Sequence, residues 1–207
     1  ISCYQIKLLL SLSLMFENLP KVTRVGIKMS GGADSSLLAY VLVKHIKENN
    51  LHLNLYPVII IEEEAPFQKL FVGKVTKFIE EELNFKFEKS FVYAHKIGED
   101  KIQLMREIEA TLFDSNLLDC IVSGTTHEPR QGFNAEGKKG PADLRVGNFQ
   151  QIWGNIYTPF INIDKKDLAL IYKEHNLLST LFPITRSCIK GTMNFDAHCG
   201  ECWWCKE

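Results

Sequence analysis

Two adjacent glycines, one carboxylate and three hydroxyls sit together in "SGGADSS", residues 30–36. An apolar run, "RVGIK", comes just before them and an amphipathic helical pattern follows, so Ser30–Ser36 form a loop that leads from a strand into a helix. Backbone N–H groups at the start of a helix point at whatever lies in front of it, and the helix dipole adds about half a positive charge there. Anions bind at such places. Gly31 and Gly32 carry no Cβ, so they can take left-handed conformations and let phosphate oxygens approach the backbone. Ser30, Ser35 and Ser36 add hydroxyl donors. Asp34 would repel a bare phosphate, and its presence therefore points to a magnesium-bound polyphosphate. The nucleotide loop G-x-x-x-x-G-K-[ST] is absent, since no lysine follows the glycines. A plainer alternative is a tight turn in which Asp34 or Ser35 only caps the helix.

The second group of reactive side chains lies at the other end of the chain. Cys188 precedes "HCGECWWC" in the pattern C-x10-C-x2-C-x2-C, so Cys188, Cys199, Cys202 and Cys205 supply four thiolates, the full ligand set of a closed tetrahedral Zn²⁺ site. Such a site leaves no open position for chemistry, but it orders a tail that has few apolar positions of its own. Gly200 suits the knuckle between ligands, and Trp203 and Trp204 can shield the sulfurs. His198 could replace a thiolate, although its neighbour Cys199 makes both binding at once awkward. An iron–sulfur cluster and metal-free cysteines are the alternatives. Cys3 stands apart, and Cys120, in the apolar "CIVSG", reads as a small buried hydrophobe.

Strand and helix patterns alternate between these groups. Apolar, β-rich runs fall at 24–30, 53–61, 87–94, 119–126 and 155–161, and helical patterns near 35–49, 67–83, 99–115 and 165–176. This rhythm predicts a parallel sheet with helices on both faces, hence strands that are apolar on both sides, and a ligand site beyond the carboxyl ends of the strands. Gly124 closes the fourth predicted strand, where a close approach of backbone to nucleotide is plausible. His127, next to it, is an acid–base candidate, although an exposed loop histidine more often does nothing chemical. The acidic run Glu62–Glu64 could touch ribose or metal, or be a solvated face. Residues 127–154, rich in Gly, Pro and charge, read as a lid or substrate loop.

At 207 residues the chain supports one sizeable core with an appendage, divided here into residues 1–180 for the α/β unit and 181–207 for the metal-binding segment. A net charge of −1 disfavours a nucleic-acid partner and favours a small molecule. Leu8–Phe16 is too short to span a bilayer and reads as an amphipathic N-terminal helix without a cleavage site. Crowded cysteines without a leader predict a reducing, cytoplasmic setting, no membrane partner, and a homodimer as the commonest assembly.

"SGGADSS" after an apolar strand resembles the S-G-G-x-D-S signature of the PP-loop ATP pyrophosphatases. That resemblance covers most of the chain in element order. It implies a Rossmann-like α/β fold of the adenine-nucleotide α-hydrolase kind, with a parallel five-stranded sheet flanked by helices, and it implies ATP and Mg²⁺ as cofactors. Ser30, Gly31, Gly32, Asp34, Ser35 and Ser36 then become the pyrophosphate and magnesium site, with Asp34 and Ser35 as catalytic residues. Adenine contacts would fall around Lys28–Met29 and Ile60–Glu62, with Gly124 beside the nucleotide. The loop together with "SC" and "HCGECWWC" resembles the 7-cyano-7-deazaguanine synthases of queuosine biosynthesis, ATP-dependent ligases that convert a heterocyclic carboxylate to a nitrile with ammonia and hold zinc on those cysteines. Lys165 or Lys166, with Asp167, matches that family's K-x-[DE]-[IL] helix start. Two departures are visible: the family's Tyr-Pro-Asp-Cys-Arg cluster is not recognisable in "GTTHEPRQGFNAEGKKG", and ten residues separate Cys188 from Cys199. Related alternatives are a tRNA-thiolating enzyme of the same superfamily and a nucleotide-sensing module without turnover.

Overall fold

Five strands, β1 (Arg24–Lys28), β2 (Asn54–Glu62), β3 (Phe91–His95), β4 (Cys120–Val122) and β5 (Ile156–Tyr157), make one parallel sheet in the order β3-β2-β1-β4-β5. The computed structural model describes residues 15–16, 19–126, 155–161, 163–188 and 202. The N-terminal run 1–14, the segment 127–154 with His127, and Cys199, Cys205, His198, Gly200, Trp203 and Trp204 lie outside the described residues. Helices α1 (Ala33–Glu48), α2 (Gln68–Leu83), α3 (Lys101–Asp114) and α4 (Lys165–Glu174) connect or follow the strands, and a 3₁₀ turn spans Phe182–Ile184. None of the described helices is long and apolar enough to cross a membrane.

Alternation along each strand sorts the side chains into two cores. Val25, Ile27, Leu55, Ile59, Cys120 and Val122 pack with Leu37 and Leu42 of α1, Val75 of α2 and Ile171 of α4. Val58, Ile121 and Ile156 point the other way, onto Ile108 and Leu112 of α3. Of the described helices, three therefore cover one face and α3 the other. The innermost helix is α1, buried without a break from Ser35 to Val43, as expected of a helix that is apolar on nearly every side. Each helix reaches its end just before an asparagine in the left-handed region: Asn50, Asn84, Asn116 and Asn176, at φ 50, 44, 50 and 57°. Asparagine tolerates this conformation better than most residues, and no glycine stands at these ends.

Four strands are shorter than their sequence patterns, the first by two residues, since it ends at Lys28 rather than 30. The third begins at Phe91 rather than 87, because Phe87 turns into the core and Glu88 reaches β2 through a single bond from its N–H to the Leu55 carbonyl. It is also an edge strand with Val92 46% exposed, so it does not have two buried faces. The fourth stops at Val122, not 126. Ser123 still donates to the Tyr157 carbonyl, but the chain then turns toward α1 at Gly124. The fifth ends at Tyr157, short of 161, because Pro159 has no N–H and Ile161 donates back to the Thr158 carbonyl.

Arg24 and Asp119 tie together the starts of β1 and β4. The carboxylate accepts from Arg24 Nε at 3.1 Å and from the Arg24 and Thr23 backbone N–H groups at 2.8 and 3.2 Å. The Arg24 side-chain bond, assisted by those N–H groups against some desolvation, holds the Asp119 carboxyl down at about 2. A depressed carboxyl stabilises the fold fully above its unfolded value near 4. That contribution is lost as the pH falls through about 2. Asp119→Asn is therefore expected to unfold at lower urea concentration than the parent at pH 7, with the gap closing below pH 2.

Candidate phosphate site at the switch point of the sheet

From β1 the chain builds outward through β2 to β3, then returns across to β4 and β5 on the opposite side. The order thus reverses between β1 and β4, and ligands of open parallel sheets collect beyond the carboxyl ends at such a reversal. Ser30–Ser36 leaves β1 at this point, and 123–126 leaves β4 beside it.

Gly31 has φ 78°, a left-handed conformation that favours glycine. Gly32, expected to be left-handed as well, is instead extended at φ −79° and ψ 167° and forms the N-cap of α1. Its need for a missing Cβ is spatial, since a Cβ there would stand 3.1 Å from Ser187 Oγ. The same holds around the loop. A Cβ on Gly31 would lie 2.7 Å from Phe71 Cβ of α2, and one on Gly124 would lie 3.1 Å from the Asp34 carbonyl oxygen. These three glycines let α2, the segment after the 3₁₀ turn, and the end of β4 close onto the loop. In this structure, protein atoms occupy the close approaches that the sequence reading gave to phosphate or nucleotide.

The hydroxyls divide into two sets. Ser35 Oγ accepts from the Ser30 N–H at 3.2 Å and lies 3.2 Å from Ser30 Oγ, while Ser30 Oγ accepts from the Gly32 N–H at 3.3 Å, so this pair braces the loop from within. Ser36 is fully buried and donates to the Gly32 carbonyl at 2.7 Å. Ser30 is exposed, whereas Ser35 is 8% exposed.

Asp34 is half-buried and ion-paired with Lys165, 131 residues away. Lys165 is held at the start of α4 by a capping box, in which Asp164 accepts from the Lys166 and Asp167 N–H groups at 2.8 and 3.0 Å and Asp167 accepts from the Asp164 N–H at 3.2 Å. Lys166 is exposed, so the structure separates two lysines that the sequence left equivalent. Tyr172 of α4 donates its hydroxyl to the Ala33 carbonyl at 2.7 Å. Burial, and secondarily the charge of Asp34, raise the Tyr172 phenol well above its ordinary value, so it stays a neutral donor. A hard carboxylate oxygen at the mouth of the loop is a donor that suits Mg²⁺.

Sequence reasoning missed a further contact. Residues 185–188 run against the loop, with the Arg186 N–H donating to the Gly31 carbonyl at 2.7 Å and Ser187 Oγ accepting from the Ala33 N–H at 3.0 Å. The Arg186 guanidinium lies 3.8 Å from the centre of the Phe67 ring and is 2% exposed. The sequence signal nearby was the "SC" pair, Ser187–Cys188, which pointed to a metal and not to a contact with the loop.

Around the expected adenine region, Met29 is buried and donates to the Val58 carbonyl at 3.0 Å, and Lys28 pairs with Glu109. Glu62 pairs with Lys101, and Glu63 accepts from the Ile97 N–H at 3.1 Å. Two members of the acidic run thus hold neighbouring segments, while Glu64 is exposed.

Cys188 and Cys202 bring their sulfurs to 3.8 Å. That is the ordinary contact distance of two sulfur atoms, and among the described residues no group of three or more His, Cys, Asp or Glu side chains is gathered that could hold a metal ion. Cys120 is elsewhere, in β4, with its thiol pushed up to about 12 chiefly by burial. It fits the small buried hydrophobe expected from its sequence.

No family model and no curated protein matches the sequence. Solved structures do. A U34-tRNA thiolase, NcsA from Methanococcus maripaludis with its [4Fe-4S] cluster, aligns with a TM-score of 0.51 and 15% identity over 84% of this chain, which spans 64% of the thiolase. An NH3-dependent NAD synthetase from Campylobacter jejuni in complex with the nitrate ion aligns with a TM-score of 0.50 and 16% identity, covering 87% of this chain and 77% of that one. At these identities the likeness is one of architecture: the Rossmann-like parallel sheet of five strands flanked by helices matches the adenine-nucleotide α-hydrolase fold of these enzymes.

Proposed function

We propose that this chain is an ATP-dependent enzyme of the PP-loop type that adenylates an oxygen of a small heterocyclic acceptor, releases pyrophosphate and then transfers nitrogen from ammonia, as the 7-cyano-7-deazaguanine synthases do. The observation that carries the reading is the placement of "SGGADS" at the switch point, with Gly31 left-handed, the start of α1 behind the loop and Asp34 at its mouth beside Lys165. Ser30, Gly31, Gly32, Ser35 and Ser36 shape the cradle for the β- and γ-phosphates, with Gly124 closing it from β4. No side-chain nucleophile is needed. The acceptor oxygen attacks the α-phosphorus, the bond from that phosphorus to the bridging oxygen breaks, and pyrophosphate leaves with the electron pair. The cradle and the Lys165 ammonium stabilise the charge gathering on that leaving group, an electrostatic contribution that is in place before reaction. Magnesium held at Asp34 would supply further neutralisation of the triphosphate. Ammonia then adds to the activated carbon and AMP departs with the oxygen. For a nitrile made from a carboxylate this first round gives the amide; in a second round the amide oxygen attacks another ATP, and AMP leaves with that oxygen as the nitrogen gives up its two protons, so one ammonia, two ATP and two pyrophosphates are accounted for.

For the tail, we propose a structural zinc on Cys188, Cys199, Cys202 and Cys205, a reading that rests on their C-x10-C-x2-C-x2-C spacing and agrees with the approach of the first and third. A small-molecule acceptor agrees with the net charge of −1. A cytoplasmic homodimer is the proposed setting, and native mass spectrometry with metal analysis reads subunit number and zinc together. The functional test is incubation with ATP, Mg²⁺, ammonia and 7-carboxy-7-deazaguanine. Pyrophosphate with a nitrile product in a ratio of two supports the reading. ATP binding without turnover of any candidate acceptor supports a sensing module instead. A second reading, tRNA thiolation, is favoured by the likeness to the thiolase NcsA. It predicts a visible absorption band in anaerobically prepared protein and sulfur incorporation into tRNA.

A further inference from the structure

We propose that Ser187 is a positioning residue of the phosphate site, fixing the start of α1 so that the cradle grips the pyrophosphate end of a nucleotide, and that the sulfur contact between Cys188 and Cys202 keeps Ser187 in place. The inference rests on the phosphate reading of Ser30–Ser36 given above.

A helix begins with N–H groups that have no partner inside the helix, and the usual remedy is a side chain at the N-cap. Here the N-cap is Gly32, which has none. The acceptor for the Ala33 N–H is Ser187 Oγ at 3.0 Å, from 154 residues further along the chain. One residue earlier, the Arg186 N–H donates to the Gly31 carbonyl at 2.7 Å. Two consecutive residues of one segment thus hold both ends of Gly31–Ala33, the stretch whose backbone would face the phosphates. Gly32 permits this closeness, since a Cβ on it would meet Ser187 Oγ at 3.1 Å and Ser187 Cα at 3.5 Å. A hydroxyl that accepts from Ala33 still has its own O–H to donate toward an anion in front of the helix.

Ser187 is itself anchored from both sides. Thr185, Arg186 and Cys188 are 1%, 2% and 2% exposed, and the Arg186 guanidinium is stacked over Phe67 at 3.8 Å. Beyond it, Cys188 Sγ lies 3.8 Å from Cys202 Sγ. A constraint on the sulfur is therefore two covalently linked residues from the loop it would brace. Coupling of this kind works in both directions: whatever holds Cys188 tightens the cradle, and an occupied cradle tightens the hold on Cys188.

Isothermal titration of ATP, pyrophosphate and AMP in the presence of Mg²⁺ tests this on the full chain, comparing the parent with Ser187→Ala, Ser187→Thr, Cys202→Ser and the Ser187→Ala/Cys202→Ser double variant. Ser187→Ala is expected to weaken ATP and pyrophosphate about tenfold and leave AMP within about twofold, with Thr restoring the parent values. Cys202→Ser is expected to weaken the same two ligands, and the double variant to be no weaker than the weaker single one. Should Ser187→Ala fail to fold, Ser187→Cys, of similar volume and a much poorer acceptor, makes the same comparison. A lower melting temperature with an unchanged ratio of ATP to AMP affinity would mean an ordinary helix cap and would overturn the proposal. Full additivity in the double variant would overturn the link through the Cys188–Cys202 contact. If the parent itself bound neither ATP nor pyrophosphate, the phosphate reading of the loop would fall, an outcome distinct from the other two.

Discussion

Asp34→Ala is expected to lower ATP-driven pyrophosphate release by about a thousandfold or more, equivalent to about 4 kcal/mol of transition-state stabilisation, while leaving the fold standing. The carboxylate lies at the mouth of the cradle, where it is the side chain suited to a hard cation carrying the triphosphate. The ion pair with Lys165 is partly open to solvent, with the two side chains 24% and 30% exposed, so breaking it has little effect on stability. Circular dichroism and thermal unfolding should place the variant within a few degrees of the parent. Charge gives the variant a second signature. Removing Asp34 takes one negative charge away from the mouth of the loop beside Lys165, so pyrophosphate without magnesium should bind more tightly than it does to the parent. Full turnover in the Asp34 variant would sink the assignment of the cradle. Unchanged binding of metal-free pyrophosphate would instead remove Lys165 from the site.

On the proposal of a zinc-binding tail, Cys188→Ser is expected to reduce bound zinc from about one per chain to below about a tenth and to lower the melting temperature by about 5 °C or more, because metal binding in such tails is folding free energy. The position is 2% exposed, so polarity alone could destabilise it, and a control is needed. Cys120→Ser provides one. Cys120 is fully buried in β4, away from the thiolate pair, and its substitution should lower stability through the core while leaving metal content unchanged. Metal analysis of both variants separates the two causes. Zinc retained in the Cys188 variant, or lost equally in both, would rule out the four-cysteine assignment.

Much of the architecture is legible in local pattern. The change from short β-rich runs to longer helical periods marks all five strands and all four described helices, and it places Ser30–Ser36 at a strand-to-helix junction, because alternate burial and the composition of loops are written into neighbouring residues. The clustering of cysteines at the C-terminus is equally direct, since ligand spacing is local. Strand ends are less so: β3 is trimmed by its edge position and the inward turn of Phe87, and β5 by Pro159, where pairing across the sheet rather than propensity decides. The site itself is mostly tertiary. Which lysine meets Asp34, how closely Ser187 approaches Gly32, and the capping of α1 by Ser187 all depend on segments more than a hundred residues apart reaching the same point. A sequence carries the periodicity that buries a helix face, but only the packing of several such faces fixes which distant hydroxyl or ammonium arrives within hydrogen-bonding distance of a loop.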